Sequence, residues 1–135
     1  MHILVAEDDL TTREMVVTLL RSWEYKVSEA GNGIKAWATL QSPDSTALCL
    51  LDRQMPGLDG IALCRRIRTT EATRHCYVLF VTVSGSRQDI VDGFAAGADD
   101  YATKPFDRNE LRVRVGVGKR VVELQTALRV LQSKG

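Results

Sequence analysis

The sequence has little with which to build thiolate or disulfide chemistry. Its three cysteines, Cys49, Cys64 and Cys76, are odd in number and form no Cys-x-x-Cys pair, so neither a disulfide framework nor a zinc site is indicated, and buried or partly buried free thiols are expected. Histidine is scarcer still. His2 and His75 stand apart from each other and from the cysteines, read as surface or edge residues, and give no basis for histidine catalysis. Neither charge is in excess, with eighteen basic residues against seventeen acidic ones, and no compact run of Lys and Arg points to direct nucleic-acid binding. The amino terminus has no basic leader, and its apolar run ends at Glu7, too early for a signal peptide or a membrane span, so a cytoplasmic protein is expected. Repeats and low-complexity segments are absent as well.

What is present fits one domain with a short appendage. The 135 residues are 44% apolar and 26% charged, enough to bury a substantial core without assistance. Short apolar runs rich in β-branched residues alternate with longer amphipathic stretches, the sign of βαβ units around a parallel sheet. Strands are predicted over Ile3 to Ala6, Tyr25 to Ala30, Ala47 to Leu51, Tyr77 to Val81 and Ala98 to Ala102, with helices near 11–23, 33–41, 59–68 and 86–96. A fifth helix follows Phe106. Asp107 with Glu110 makes a capping-box pattern there, Phe106 with Leu111 a hydrophobic staple, and Ser86 with Asp89 caps the fourth helix. Asn32-Gly33, Pro56-Gly57 and Asp59-Gly60 punctuate the earlier loops.

Five strands alternating with five helices predict a three-layer α/β/α sandwich on a five-stranded parallel sheet of order 2-1-3-4-5, the flavodoxin-like topology. Its switch point lies between strands 1 and 3, so a crevice is expected at their carboxyl ends. Glu7, Asp8 and Asp9 fall there, as does Asp52. Crowding such charges is unfavourable without a cation or proton, and hard carboxylate oxygens suit Mg²⁺ or Mn²⁺. Asp9 reads more simply as a helix cap. Thr82 and Lys104 end the fourth and fifth strands and bring a hydroxyl and a cation toward the same edge, where together they suit a phosphoryl oxygen. Taken singly, such a Thr is an ordinary strand former and such a Lys a solvated charge.

These segments resemble response regulator receiver domains of bacterial two-component signalling. The resemblance rests on Ile3-Leu-Val-Ala-Glu-Asp-Asp with Arg13 following, Leu50-Leu-Asp-Arg-Gln-Met-Pro-Gly-Leu-Asp-Gly60, Phe80-Val-Thr82 and Gly93-Phe-Ala-Ala-Gly-Ala-Asp-Asp-Tyr-Ala-Thr-Lys-Pro-Phe106, together with the intervals between Asp8, Asp52, Thr82 and Lys104. It covers about residues 1–120. It implies that Asp52 is the phosphoacceptor, that Glu7, Asp8, Asp52 and the Gln54 backbone carbonyl hold Mg²⁺, and that Thr82 and Lys104 meet the phosphoryl group. It further implies a cis Lys104-Pro105 bond and a Tyr101 whose rotamer reports the state. The implied partner is a sensor histidine kinase or a histidine phosphotransfer protein, and the implied output is a shift in conformational population rather than turnover of an external substrate.

Three positions depart from the family pattern: Glu7 stands where Asp is commoner, Val83 is bulkier than the usual Ala or Gly, and Gln54 with Ser84 occupies positions that modulate phosphoryl lifetime. Two other classes compete. A Mg²⁺-dependent aspartate-nucleophile phosphatase would use the same Asp52, Thr82 and Lys104, but enzymes of the haloacid dehalogenase type carry a second acid where this chain has Gln54. An FMN binder would need a Gly-rich phosphate loop after strand 1, which is missing.

Residues 1–120 are thus read as the receiver and 121–135 as a helical extension, in the role of a coiled-coil linker to an effector beyond residue 135. Val117, Val121, Leu124, Leu128 and Leu131 follow a 4-3-4-3 spacing that would let two chains pair as a homodimer. Gly116 and Gly118 each weaken a continuous helix by about 1 kcal/mol, which marks a hinge. A frayed monomeric tail is the simpler alternative.

Overall fold

The computed structural model describes residues 1–42, 46–83 and 86–133. Among the described residues, strands and helices alternate as β1 (His2–Ala6), α1 (Leu10–Ser22), β2 (Lys26–Ala30), α2 (Gly33–Leu40), β3 (Leu48–Asp52), α3 (Gly60–Thr69), β4 (Tyr77–Thr82), α4 (Arg87–Ala96), β5 (Asp100–Thr103) and α5 (Arg108–Ser133). The strands pair in parallel in the order β2-β1-β3-β4-β5, as the periodicity predicts.

Side chains alternate across a strand, so each strand feeds two cores. Leu4, Ala6, Cys49, Leu51, Val78 and Phe80 pack with α2, α3 and the end of α4. Ile3, Val5, Leu48, Leu50, Leu79 and Val81 pack on the opposite face with Val16, Val17 and Leu20 of α1 and Leu111 and Val115 of α5. The three cysteines are buried free thiols. Ala6 of β1 pairs with Leu51 of β3, so Glu7 and Asp52 emerge side by side where the strand order reverses.

Helix starts follow the expected chemistry, in which a side-chain oxygen accepts an otherwise unpaired N–H. Asp9 accepts from Thr12 at 2.9 Å, Ser86 from Asp89 at 3.2 Å and Asp107 from Glu110 at 2.9 Å. Glu110 turns its own carboxylate to Arg114 at 2.9 Å. Asn32 and Asp59, read above as loop punctuation, cap α2 and α3. Gly60 then opens α3 directly against the end of β3: a Cβ there would lie 2.5 Å from the Asp52 carbonyl oxygen.

Most element ends lie within one or two residues of the prediction, and three differences have a clear physical cause. β2 starts at Lys26, because Glu24 adopts φ 69° and the Tyr25 N–H still bonds Leu20 of the preceding helix. β5 starts at Asp100 rather than Ala98, because Gly97 (φ 114°) and Ala98 close α4 by donating to Phe94 and Gly93. The third concerns the tail. Far from hinging, α5 runs unbroken through Gly116 and Gly118. A Cβ on Gly118 would lie 2.7 Å from Leu48 and 2.8 Å from Tyr77, so its missing side chain lets the helix settle on the sheet. Among the described residues no helix is long and apolar enough to cross a membrane.

Candidate functional site

Two strand ends deliver three carboxylates to one place. Glu7 and Asp8 follow β1, Asp52 ends β3, and one oxygen from each lies within 4.8 Å of the other two. Glu7 (3% exposed) and Asp52 (8%) form a buried floor, while Asp8 sits exposed at the mouth. Buried carboxylates must find partners. Lys104, carried in just after β5, donates to Glu7 and lies 3.2 Å from Asp52 Oδ2. Asp52 Oδ1 accepts the Gln54 N–H at 3.1 Å. Arg13 holds the Glu7 carbonyl at 2.8 Å.

The charges explain the protonation. Burial, followed by the hydrogen bond to Asp52, pushes Glu7 up to about 7, against the lowering effect of Lys104. For Lys104, burial disfavours the ammonium, but the hydrogen bond to Glu7 and the charges of Asp52 and Glu7 outweigh it, and the net shift is upward.

A carboxyl pushed upward binds its proton more tightly in the folded than in the unfolded chain, so its stabilisation is full below the ordinary value of 4.5 and lost as pH rises through about 7. In EDTA, the urea midpoint should therefore fall between about pH 5 and about pH 8, and Glu7→Gln should flatten that fall. An unchanged slope in the variant would assign the titration to another group.

Thr82 reaches the same edge as the last residue of β4, 2% exposed and paired in register with Thr103, and its carbonyl accepts the Lys104 N–H at 2.8 Å. The Lys104-Pro105 bond is cis. Tyr101 lies outside the acid pocket, buried between Phe80 and Phe94 with ring centroids 5.9 and 6.2 Å away. Val83 is 73% exposed and directs its bulk largely into solvent. Ser84 lies outside the described residues.

Two contacts around the site are not specified by the sequence. Lys104 pairs with Glu7 as well as Asp52, which strand spacing alone does not specify. Arg53 was passed over altogether; its side chain leaves the pocket for α4, and its signal is only a basic residue placed directly after a strand-final Asp.

The donor set fits a hard divalent ion. With all three acids ionised and Lys104 charged, about two negative charges remain uncompensated, and oxygens at this spacing match the preference of Mg²⁺ for carboxylate and water.

Comparison with known proteins agrees. The family model described as the response regulator receiver domain matches residues 3–116. The DNA-binding dual master transcriptional regulator RpaA of Synechocystis is 42% identical over 116 residues, covering 84% of this chain and 47% of that protein. The transcriptional regulatory protein ResD of Bacillus subtilis is 40% identical, over 84% of this chain and 45% of its own. The chain thus spans about half the length of the curated relatives it matches. Among solved structures, the receiver domain of the sensor histidine kinase PA1611 from Pseudomonas aeruginosa, with magnesium coordinated in its active site cleft, superposes with a TM-score of 0.79 at 30% identity, over 90% of this chain and 97% of that one.

Proposed function

This chain belongs to the response regulator receiver family, and from that membership we propose that Asp52 accepts a phosphoryl group from a phosphohistidine and that the fold relays the result as a conformational change. The donor would be a sensor histidine kinase or a histidine phosphotransfer protein. The family is one of signalling domains rather than of enzymes that turn over an external substrate. The observation that carries the reading is the position of Asp52, buried at the end of a central strand with a cation on one oxygen and a backbone donor on the other.

An Asp52 carboxylate oxygen attacks phosphorus, an O–P bond forms, the P–N bond to the donor imidazole breaks, and the nitrogen keeps the electron pair. Glu7, Asp8, Asp52 and the Gln54 carbonyl would hold Mg²⁺ or Mn²⁺, whose charge offsets that of the phosphoryl oxygens. Lys104 turns from Glu7 and Asp52 toward the new oxygens. Thr82 donates its hydroxyl to one of them and draws its loop along. Tyr101, on the neighbouring strand, registers that movement through its rotamer. With acetyl phosphate as donor, intact-mass measurement should find one added phosphoryl group in Mg²⁺ and none in EDTA; labelling that ignores EDTA would refute the proposal.

The two acids after Glu7 have separate duties. Asp8 belongs to the carboxylate cluster, whereas Asp9 spends its side chain on the α1 cap. Asp8→Ala should weaken Mg²⁺ binding in calorimetry by about 10- to 100-fold, a loss of the size seen when metal-site groups are removed, and Asp9→Ala far less. Equal losses would undo the distinction.

Residues 1–120 act in this reading as the receiver, with 121–135 carrying its state onward. The other half of each curated relative lies outside the match, which supports an effector domain as the recipient. The exposed apolar edge of α5 supports a second copy of the chain as a further partner.

A further inference from the structure

Arg53 follows Asp52 directly, and its backbone is pinned on both sides. Its N–H donates to Val81 at 3.3 Å, and its carbonyl accepts the Gly60 N–H at 2.9 Å. The side chain, 15% exposed, therefore has a fixed root and crosses to α4. Nη1 donates to the Asp89 carbonyl and to the Tyr101 hydroxyl at 3.2 Å, and that hydroxyl donates to the same carbonyl at 3.4 Å, closing a triangle. Nη2 lies 3.5 Å from the Asp89 carboxylate and 3.8 Å from that of Asp92.

Tyr101 occupies a seat made for it. A Cβ on Gly93 of α4 would lie 2.7 Å from Tyr101 Cε2, so the ring fits inward only because that position has no side chain. Phe80 and Phe94 complete the walls, and the Arg53 guanidinium closes the hydroxyl end. A carbonyl inside a helix spends one lone pair on the helix ladder and has a second for an outside donor. A guanidinium, planar with several donors in a fixed fork, can meet a carbonyl, a hydroxyl and two carboxylates at once; an ammonium on a flexible stem cannot keep that geometry.

We propose that Arg53 is a positioning residue that ties the end of the phosphoacceptor strand to the first turns of α4 and to the inward seat of Tyr101, so that a change at Asp52 reaches the α4–β5 face through this guanidinium as well as through Thr82. The proposal rests on the reading of Asp52 as phosphoacceptor. A small shift of the Asp52-Arg53 peptide is magnified along the side chain and moves all its acceptors together. Among the described residues, loss of the guanidinium leaves the Tyr101 hydroxyl its long bond to Asp89 and frees α4 from β3 at this point.

Hydrogen exchange with and without beryllofluoride, a stable mimic of the acyl phosphate, separates coupling from mere bracing. In the wild type, beryllofluoride should alter amide exchange across residues 86–96. In Arg53→Gln and Arg53→Ala, α4 should exchange about tenfold faster without the mimic, as expected when charge-assisted hydrogen bonds are lost. Its response to beryllofluoride should fall below about a third of the wild-type response. Arg53→Lys should restore part of it, and labelling by acetyl phosphate should stay within about threefold of wild type in all three. A full α4 response in Arg53→Ala would overturn the proposal, as would faster exchange spread equally over α1 and α2, since that marks general destabilisation. Lost labelling in the variants would place Arg53 in the phosphoryl step and overturn it too. Failure of the wild type to label or to bind beryllofluoride would instead defeat the phosphoacceptor reading beneath it.

Discussion

Acetyl phosphate in Mg²⁺ should add no phosphoryl group to Asp52→Asn, while Asp9→Ala should remain labelled. The pocket offers several carboxylates, and only one combines access with activation. Glu7 is buried, engaged by Lys104 and pushed up to about 7, so near neutral pH a large share of it carries a proton and is a poor nucleophile. Asp9 has committed its side chain to Thr12 and the start of α1. Asp8 stands exposed at the mouth, and among the described residues no ion pair engages it. Asp52 holds one oxygen on a backbone N–H and the other 3.2 Å from an ammonium, so it is oriented and its neighbour can neutralise the group that arrives. Asn keeps nearly the same shape and an oxygen that can accept the Gln54 N–H, so the loss should be complete without loss of fold. Intact-mass measurement reads the first result and thermal melting the second. A labelled Asp52→Asn protein would move the acceptor to another carboxylate.

How far such a site can be read in advance depends on whether its parts are local in sequence. Asp52 and Thr82 were legible because each ends a short apolar run, and a parallel sheet sends all such ends to one edge. The caps at Asp9, Ser86 and Asp107 were legible because a capping residue and its N–H partner lie three residues apart. Arg53 was not, since its partners Asp89 and Tyr101 lie 36 and 48 residues away and nothing local distinguishes it from a solvated charge. Gly118 was misread for a related reason. Helix propensity is a property of the residue alone and argues for a hinge, but Leu48 and Tyr77 need the space its side chain would fill. The start of β5 moved because Gly97 belongs to the close of α4, and an apolar run does not say which element owns its first residues.

Beryllofluoride should drive the chain toward a dimer in analytical ultracentrifugation, and Leu124→Glu combined with Leu128→Glu should hold it monomeric. On α5 the residues that meet the sheet are Leu111, Val115 and Gly118, whereas Leu124, Leu128 and Leu131 are 70%, 56% and 67% exposed on another stripe at coiled-coil spacing. Burying one such leucine fully contributes about 1.5–3 kcal/mol, while association costs about 4–15 kcal/mol in lost freedom. Three leucines from each of two chains therefore come close to balancing that cost without clearly exceeding it. Such a seam is sensitive to a second contribution, and one lies beside it. Val113, 66% exposed, continues the stripe toward the Arg114–Asp100 pair at the β5–α5 edge, next to the strand that carries Tyr101. A modest rearrangement of α4 and β5 on phosphorylation would add that edge to the interface and tip the balance. A wild type that stays monomeric at high concentration in both states would defeat the idea. A concentration-independent dimer indifferent to beryllofluoride would mean that the seam suffices by itself, and regulation would then have to act on the relative orientation of the paired receivers.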